Sequence, residues 1–252
     1  VVECDGAENL LELEVWLDNH GGAIAGDACS ASLTWDYILM NTEDNCGSTA
    51  THNYMFTATD ACGNVSVNTV AAFIIEDTTD PEIDGIFDTV VECDGSGNDA
   101  ELDAWLNDHG GLYATDDCSE TFLWEYDLIS FEENCGITNV STYRFTVIDE
   151  CGNSSFEQAT FTIEDTSNPI IDPGEDMAME ECDDPPLGNF PDFDFWLDSN
   201  AGAIATDDCG DIQWINNYNP NNWVFTCGNT RYIDVTFTAI DDCGNLNSTT
   251  HR

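Results

Sequence analysis

Twelve cysteines constrain this chain more than any other feature. They stand at Cys4, Cys29, Cys46 and Cys62, then at Cys93, Cys118, Cys135 and Cys151, then at Cys182, Cys209, Cys227 and Cys243. Equivalent cysteines of the first two sets are all 89 residues apart, a register that chance does not produce, so the chain is a repeat array. Four cysteines per copy with no C-x-x-C pair read as a disulfide framework rather than as zinc ligands. Such a framework needs an oxidising compartment outside the cytosol.

The surrounding residues repeat in the same register. VVECDG at Val1–Gly6 returns at Val90–Gly95 and, altered, around Cys182. The segment from Val15 to Cys29 matches Ala104–Cys118 and Phe195–Cys209, and FTATDACGN at Phe56–Asn64 matches Phe145–Asn153 and Phe237–Asn245. The linker E-D-T-x-x-P occurs at Glu76–Pro81 and Glu164–Pro169. Its proline fixes φ and donates no ladder hydrogen bond, which suits an inter-domain hinge. The expected division is 1–78, a repeat lacking its first strand; 79–166, a complete repeat; and 167–252, a repeat lacking its last strand.

Hydrophobic periodicity supplies the fold class. SLTWDYIL, HNYMFTATD and SVNTVAAFIIED read as strands, the last pair joined by an A-C-G-N turn, and IDGIFDTVVEC reads as a first strand. AENLLELEVWLDNHGG gathers Leu10, Leu13, Trp16 and Leu17 on one face and ends in two glycines, a short amphipathic helix with a glycine stop. The expectation is an all-β protein: tandem immunoglobulin-like β-sandwich repeats, each with a short inserted helix and two disulfides. In that topology Cys29 and Cys62 lie at the end facing the preceding domain, and Cys4 and Cys46 lie at the opposite end. Pairing within each end predicts Cys4–Cys46 and Cys29–Cys62, then Cys93–Cys135, Cys118–Cys151, Cys182–Cys227 and Cys209–Cys243.

Charge points to a ligand. There are 51 acidic residues against three arginines, Arg144, Arg231 and Arg252, with no lysine, for a formal charge of −48. That balance excludes nucleic acid and anionic membrane as partners. No 18-residue apolar run is present, so direct membrane insertion is not expected. Seven Trp, 13 Phe and 42% hydrophobic residues still provide a core, which separates this chain from acidic disordered segments. At each hinge the linker carboxylates Glu76, Asp77 and Asp80 should meet Asp116, Asp117 and Asp149. Glu164 and Asp165 should meet Asp207, Asp208 and Asp241 in the same way. Converging carboxylates repel unless a cation bridges them, and hard oxygen donors suit Ca²⁺, which takes six to eight of them. The bland alternative is a set of solvated polar turns, D-x-C-G-N being ordinary turn chemistry.

Other features read as structural. His20 and His109 become Asn200 in the third copy, so helix capping is expected rather than catalysis or metal binding. Trp16, Trp105 and Trp196 fall on the helix face that meets the core, and Trp35, Trp124 and Trp214 echo a packed strand tryptophan. No G-x-S-x-G, H-E-x-x-H or phosphate loop occurs, so no enzyme activity is expected.

The motifs V-E-C-D-G, G-G-A-x-A-T-D-D-C, F-T-A-T-D-A-C-G-N and F-T-I-E-D-T-x-x-P-x-I together resemble the HYR-like, immunoglobulin-like repeats of very large Bacteroidetes cell-surface adhesins, gliding-motility adhesins of the SprB type among them. The resemblance covers all three copies. It implies type IX secretion, display on the outer membrane as a filament, and attachment to surfaces or polysaccharide. The inserted helix and the four cysteines depart from simple HYR modules. Together these readings predict an extracellular stalk whose partners include its own neighbouring repeats. A carbohydrate-binding module array on a secreted hydrolase is the rival, disfavoured because Tyr113 becomes Ile24 and Ile204 in the other copies. A filament of polymerised subunits is the third possibility.

Overall fold

The computed structural model describes residues 1–30, 32–85, 88–177, 191–227 and 230–252. The first repeat contains β1 (Val2–Glu3), α1 (Leu10–Asp18), β2 (Leu33–Asp44), β3 (Ala50–Asp60) and β4 (Thr69–Glu76). The middle repeat contains β5 (Glu82–Asp84), β6 (Thr89–Glu92), α2 (Asp99–Asn107), β7 (Tyr113–Thr115), β8 (Leu123–Glu133), β9 (Asn139–Ile148) and β10 (Ser154–Glu164). The third contains β11 (Ile170–Asp172), α3 (Pro191–Asp198), β12 (Ile204–Thr206), β13 (Gln213–Asn216), β14 (Val224–Phe225), β15 (Arg231–Tyr232), β16 (Val235–Ile240) and β17 (Leu246–His251). The class is all-β, a tandem array of sandwich repeats each carrying one inserted helix. The segment read as one first strand is two, β5 and β6, separated by Gly85 at φ 88°.

Each of the first two repeats is built on a four-stranded sheet, in the orders β1-β4-β3-β2 and β6-β10-β9-β8. The antiparallel hairpins follow from the turns, and the added strand runs parallel to its neighbour: Val2 faces Ile75 and Glu3 faces Glu76, as Val91 faces Ile163 and Glu92 faces Glu164. This parallel pairing delivers Cys4 and Cys93 to the end of the sheet where the linker leaves, and their N–H groups donate to the Glu76 and Glu164 carbonyls at 2.8 and 2.7 Å. The turn at Cys46–Thr49, between β2 and β3, lies at that same distal end because Ala50 pairs with Ile75. The β3–β4 turn carrying Cys62 lies at the opposite, proximal end, as does Cys29 just before β2, whose Leu33 pairs with Asp60.

The chain forms two compact units. One comprises Val1–Phe87, Leu106–Asp127 and Arg144–Ala159; the other comprises Asp88–Trp105, Leu128–Tyr143 and Thr160–Arg252. In the first, alternation along β3 and β4 buries Tyr54, Phe56, Ala58, Phe73 and Ile75. Trp16 of α1 lies edge-on to Phe56 at 5.5 Å between ring centres. Cys4 and Cys118 belong to the same cluster as Phe73 and Ile75. In the second, Trp105 packs on Phe161, and Trp196 packs with Phe193, Ile233, Val235 and Phe237. Trp105 and Trp196 are therefore core and Trp16 packs half-buried against it, while Leu10, expected beside Trp16, is 62% exposed. His20 and His109 sit just past their helices at φ 51° and 53°, as Asn200 does at 54°. That left-handed region favours Asn and His among non-glycine residues. That is the left-handed position that closes a helix C-terminus, and the two rings also stack on Trp35 and Trp124.

Candidate functional site: the junctions between repeats

The disulfides correct the expected pairing. Cys4 bonds Cys118 and Cys46 bonds Cys151; Cys93 bonds Cys209 and Cys135 bonds Cys243. Not one of these joins two cysteines of the same repeat. Cys4–Cys46, Cys93–Cys135, Cys118–Cys151 and Cys209–Cys243 are all replaced by bonds from the distal end of one repeat to the proximal end of the next. Cys29 and Cys62 are exposed free thiols, not a pair. Of the expected Cys182–Cys227, Cys182 lies outside the described residues and Cys227 is an exposed free thiol. The assignment of cysteines to ends agrees with the strand order. What differs is the partner, because the two distal cysteines of one repeat face the two proximal cysteines of the following one.

Backbone contacts close the same junctions. Gly6 packs against Asp117, where a Cβ would stand 2.6 Å from the carbonyl oxygen, and Gly95 meets Asp208 at 2.9 Å in the same way. The Ser48 N–H donates to the Cys118 carbonyl at 2.8 Å, and the Ile137 N–H to the Cys209 carbonyl at 3.0 Å. From the linker, Asp80 Oδ1 accepts the Ser154 N–H at 3.2 Å. The Asp77 carbonyl accepts Asn153 Nδ2 at 3.2 Å, and the Asp165 carbonyl accepts Asn245 Nδ2 at 3.0 Å. Pro81 and Pro169 are fully buried, so the linker is packed rather than free.

Carboxylates crowd into this packing. Asp77 and Asp116 bring oxygens within 4.8 Å of each other and of the Cys118 sulfur, and Asp165, Asp207 and Cys209 repeat the arrangement. The sulfurs are held in disulfides and offer no thiolate, so each cluster is a carboxylate cluster. Asp77, Asp149, Asp165 and Asp241 are all at least nine-tenths buried. Their inner oxygens accept turn N–H groups: Asp149 Oδ1 takes Cys151 and Asn153 at 2.8 Å each, and Asp241 Oδ1 takes Cys243 and Asn245. The outer oxygens of Asp77, Asp165 and Asp241 are buried without a hydrogen-bond partner among the described residues. Burial pushes the Asp77 and Asp165 carboxyls above the usual range; a bond from the Thr79 or Ser167 N–H opposes this, and like charge from Asp116 and Asp149, or Asp207 and Asp241, adds to it.

Glu3 and Glu92 belong to the same ends and were not singled out by sequence. Glu3 accepts the Thr78 N–H and the hydroxyls of Thr78 and Thr79, and Glu92 accepts the Thr166 N–H and the hydroxyls of Thr166 and Ser167. These bonds, the backbone one foremost, hold both carboxyls below the usual glutamate range. The signal was present: a glutamate before the first cysteine and a T-T or T-S pair in the linker, in both copies. The remaining expected residues, Glu76, Asp117, Glu164 and Asp208, are exposed. They contribute backbone to the junction, while Asp80 contributes the side-chain bond to Ser154.

No family model and no curated protein matches the chain. Among solved structures it is similar to Drosophila N-cadherin EC1-4, with a TM-score of 0.30 and 11% identity over 88% of this chain and 66% of that one. Human CDH23 EC21-23 gives 0.27 and 13%, covering 86% and 88%. Protocadherin gamma B7 extracellular cadherin domains 1-4 gives 0.29 and 15%, covering 87% and 66%. The chain thus spans just under two thirds of the N-cadherin and protocadherin fragments. At TM-scores this low the likenesses carry no functional inference. No helix among the described residues is long and apolar enough to cross a membrane.

Proposed function

We propose that this chain is a load-bearing stalk segment of an extracellular adhesin, its junctions clamped by two disulfides and by calcium. The observation that carries this is the set of four bonds from each repeat's distal end to the next repeat's proximal end. Tandem domains joined by a single linker move relative to one another by default. Here each peptide linker is bypassed twice. The shortest covalent route from Val1 to Arg252 crosses at Cys4–Cys118, follows the backbone to Cys135, and crosses again at Cys135–Cys243. Force applied at the ends is carried along that route, so most of the chain bears no tension and cannot be pulled out.

Calcium supplies the second clamp. Asp77, Asp116 and Asp149 would hold one ion, and Asp165, Asp207 and Asp241 another. Buried oxygens without partners and carboxyls crowded by like charge are what a hard cation relieves. The resemblance to HYR-like repeats supports a bacterial cell surface as the setting, with a solid surface or polysaccharide as the thing held, gliding among the uses and type IX secretion as the route. The role is mechanical and adhesive rather than catalytic.

Single-molecule stretching of the oxidised chain between its ends tests the reading. The disulfide route contains about 30 residues and reaches roughly 110 Å at about 3.5 Å per residue, against roughly 880 Å for the reduced chain. A plateau near the shorter length that gives way after reduction is expected. Pairing within repeats would instead expose about 120 residues, roughly 420 Å, and a plateau there would refute the proposal.

A further inference from the structure

Strand β2 is an open edge of its sheet. In the order β1-β4-β3-β2 it pairs only with β3, and among the described residues no backbone bond reaches it from the other side. Alternate N–H and C=O groups of an edge strand point away from the sheet as a row of unpaired donors and acceptors. Natural edges are commonly blunted by lysine, proline or an inward-pointing charge. β2 has none of these between Tyr37 and Met40, four consecutive apolar residues that are 47–60% exposed. A bulge between Leu39 and Asn41 ends the regular ladder, which leaves Leu33–Leu39 in unbroken register. Tyr37 and Leu39 stand opposite the buried Phe56 and Tyr54, so they form the open margin of the core, while Ile38 stands opposite Met55 on the other face.

The same edge recurs once. β8 closes the order β6-β10-β9-β8, and Tyr126 and Leu128 hold the places of Tyr37 and Leu39, again about half exposed. The third repeat departs from this. Asn216 stands opposite Phe237 as Tyr37 stands opposite Phe56, and β13 stops there. Charge frames both apolar edges. Exposed Asp36, Glu43 and Asp44 bracket the run in β2, and exposed Glu125, Asp127, Glu132 and Glu133 do so in β8, with no basic residue in either strand.

We propose that β2 and β8 are docking edges for a partner protein, which adds to each an extended strand with an apolar centre and lysine or arginine at its ends. Main-chain hydrogen bonds to the free edge supply the affinity, and alternate apolar side chains of the incoming strand cover Tyr37 and Leu39, or Tyr126 and Leu128, and fix its register. Charge complementarity selects the ends: basic residues there meet the bracketing carboxylates. A second copy of this chain is the wrong occupant. Pairing β2 with β2 sets one group of carboxylates against another in a chain of formal charge −48, and like charges opposed across a ladder destabilise it. The edge owes nothing to the junction disulfides or to calcium, so it adds a specific protein contact to the stalk rather than restating how the stalk is held.

The test titrates the full oxidised chain, in calcium, with a panel of fluorescein-labelled, end-capped decapeptides. Each carries two lysines at either end and a centre alternating threonine with valine, isoleucine or tyrosine. Fluorescence anisotropy should show two peptides bound per chain. Hydrogen exchange should slow at the amides of β2 and β8 that face away from β3 and β9, and not at β13. N-methylation of alternate peptide nitrogens removes donors while keeping side chains and charge, and should weaken binding about tenfold. Glutamates in place of the lysines should abolish it. Leu39→Lys should reduce the count from two peptides to one, with the tryptophan fluorescence and the disulfide map of the wild type retained. Failure of every peptide in the panel to bind, or protection that falls on β13, would overturn the docking edge. So would indifference to N-methylation, which would reduce the effect to charge attraction without strand addition. Self-association in sedimentation velocity that Leu39→Lys abolishes would make a second copy the occupant and overturn the assignment of a basic partner.

Discussion

The turns around Cys29 and Cys62 and those around Cys118 and Cys151 are one structure in two settings. Both pairs use an aspartate to cap a cysteine turn, and both link their turns through a serine hydroxyl. In the first repeat Cys29, Cys62 and Asp27 are exposed and Asp60 is half-buried, and Asp60 sits below the ordinary aspartate range, mainly through the Asn64 side-chain amide. In the middle repeat Cys118 is 3% exposed, Asp149 is 6% exposed, and Asp77 has arrived with its carboxyl above the ordinary range. The turn is thus made by local sequence. The buried charge, and with it the demand for a cation, appears only when a neighbouring repeat docks.

Removing cysteines gives the largest break in that comparison. The Cys4–Cys118 bond spans 114 residues, and a loop of about that length contributes roughly 4.7 kcal/mol in the chain-entropy model. Cys4→Ala/Cys118→Ala should lower unfolding stability by an amount of that order in urea titrations followed by tryptophan fluorescence. Cys29→Ala/Cys62→Ala should stay within about 0.5 kcal/mol of wild type, as exposed substitutions do. Equal losses in the two variants would mean that the turns are equivalent and that docking adds nothing.

Glycine substitutions probe the same contrast at intermediate size. Gly47 has φ 54°, and a Cβ there would collide with the Cys118 carbonyl; Gly63 has φ 86° and open space around it. Gly63→Ala should cost only the left-handed strain of about 1–2 kcal/mol. Gly47→Ala adds an overpacking penalty of about 1–3 kcal/mol to the same strain. The paired unfolding curves should therefore separate in that direction, and Gly47→Ala should slow formation of Cys46–Cys151 during oxidative refolding.

The origin of these differences was partly visible in the sequence. The cysteine register, the strand periodicity and the A-C-G-N turns led directly to repeats, sandwich and helix, because each is written in local chemistry. The end of the sandwich at which each cysteine lies was also readable, since strand order decides it. The partner was not. Cys4 and Cys46 share an end, and spacing alone does not say that a cysteine in the next repeat stands closer than its neighbour in the same one. Glu3 escaped notice for a related reason: its partners Thr78 and Thr79 are some 75 residues away and meet it only through the parallel pairing of β1 with β4. Asp77 and Asp116, by contrast, could be named because the linker and the turn are both acidic and the turn faces the preceding repeat.

Protonation of the buried carboxylates with pH separates docking from turn formation most cleanly. A carboxyl whose folded-state value is raised favours the folded protein while protonated, and that advantage fades as pH rises through the raised value. In chelator, then, Asp77 and Asp165 should make the chain more stable as pH falls from neutrality toward the ordinary aspartate range. Glu3, Glu92 and Asp60 are lowered, so their contribution is intact across that window and declines only below the ordinary carboxylate range. Calcium should flatten the upper window by stabilising the ionised form, adding about 2.7 kcal/mol per site at a hundred times its Kd. Asp77→Asn removes one buried charge, so it should raise stability in chelator by roughly 1–3 kcal/mol and reduce the calcium response. Asp60→Asn, in the undocked turn, should do neither. Calorimetric melting of the three proteins from pH 7 to pH 4.5, with and without calcium, reads all of this directly. If chelator leaves wild-type melting unchanged, or if Asp60→Asn blunts the calcium response as much as Asp77→Asn does, the buried linker carboxylate is not what the ion recognises.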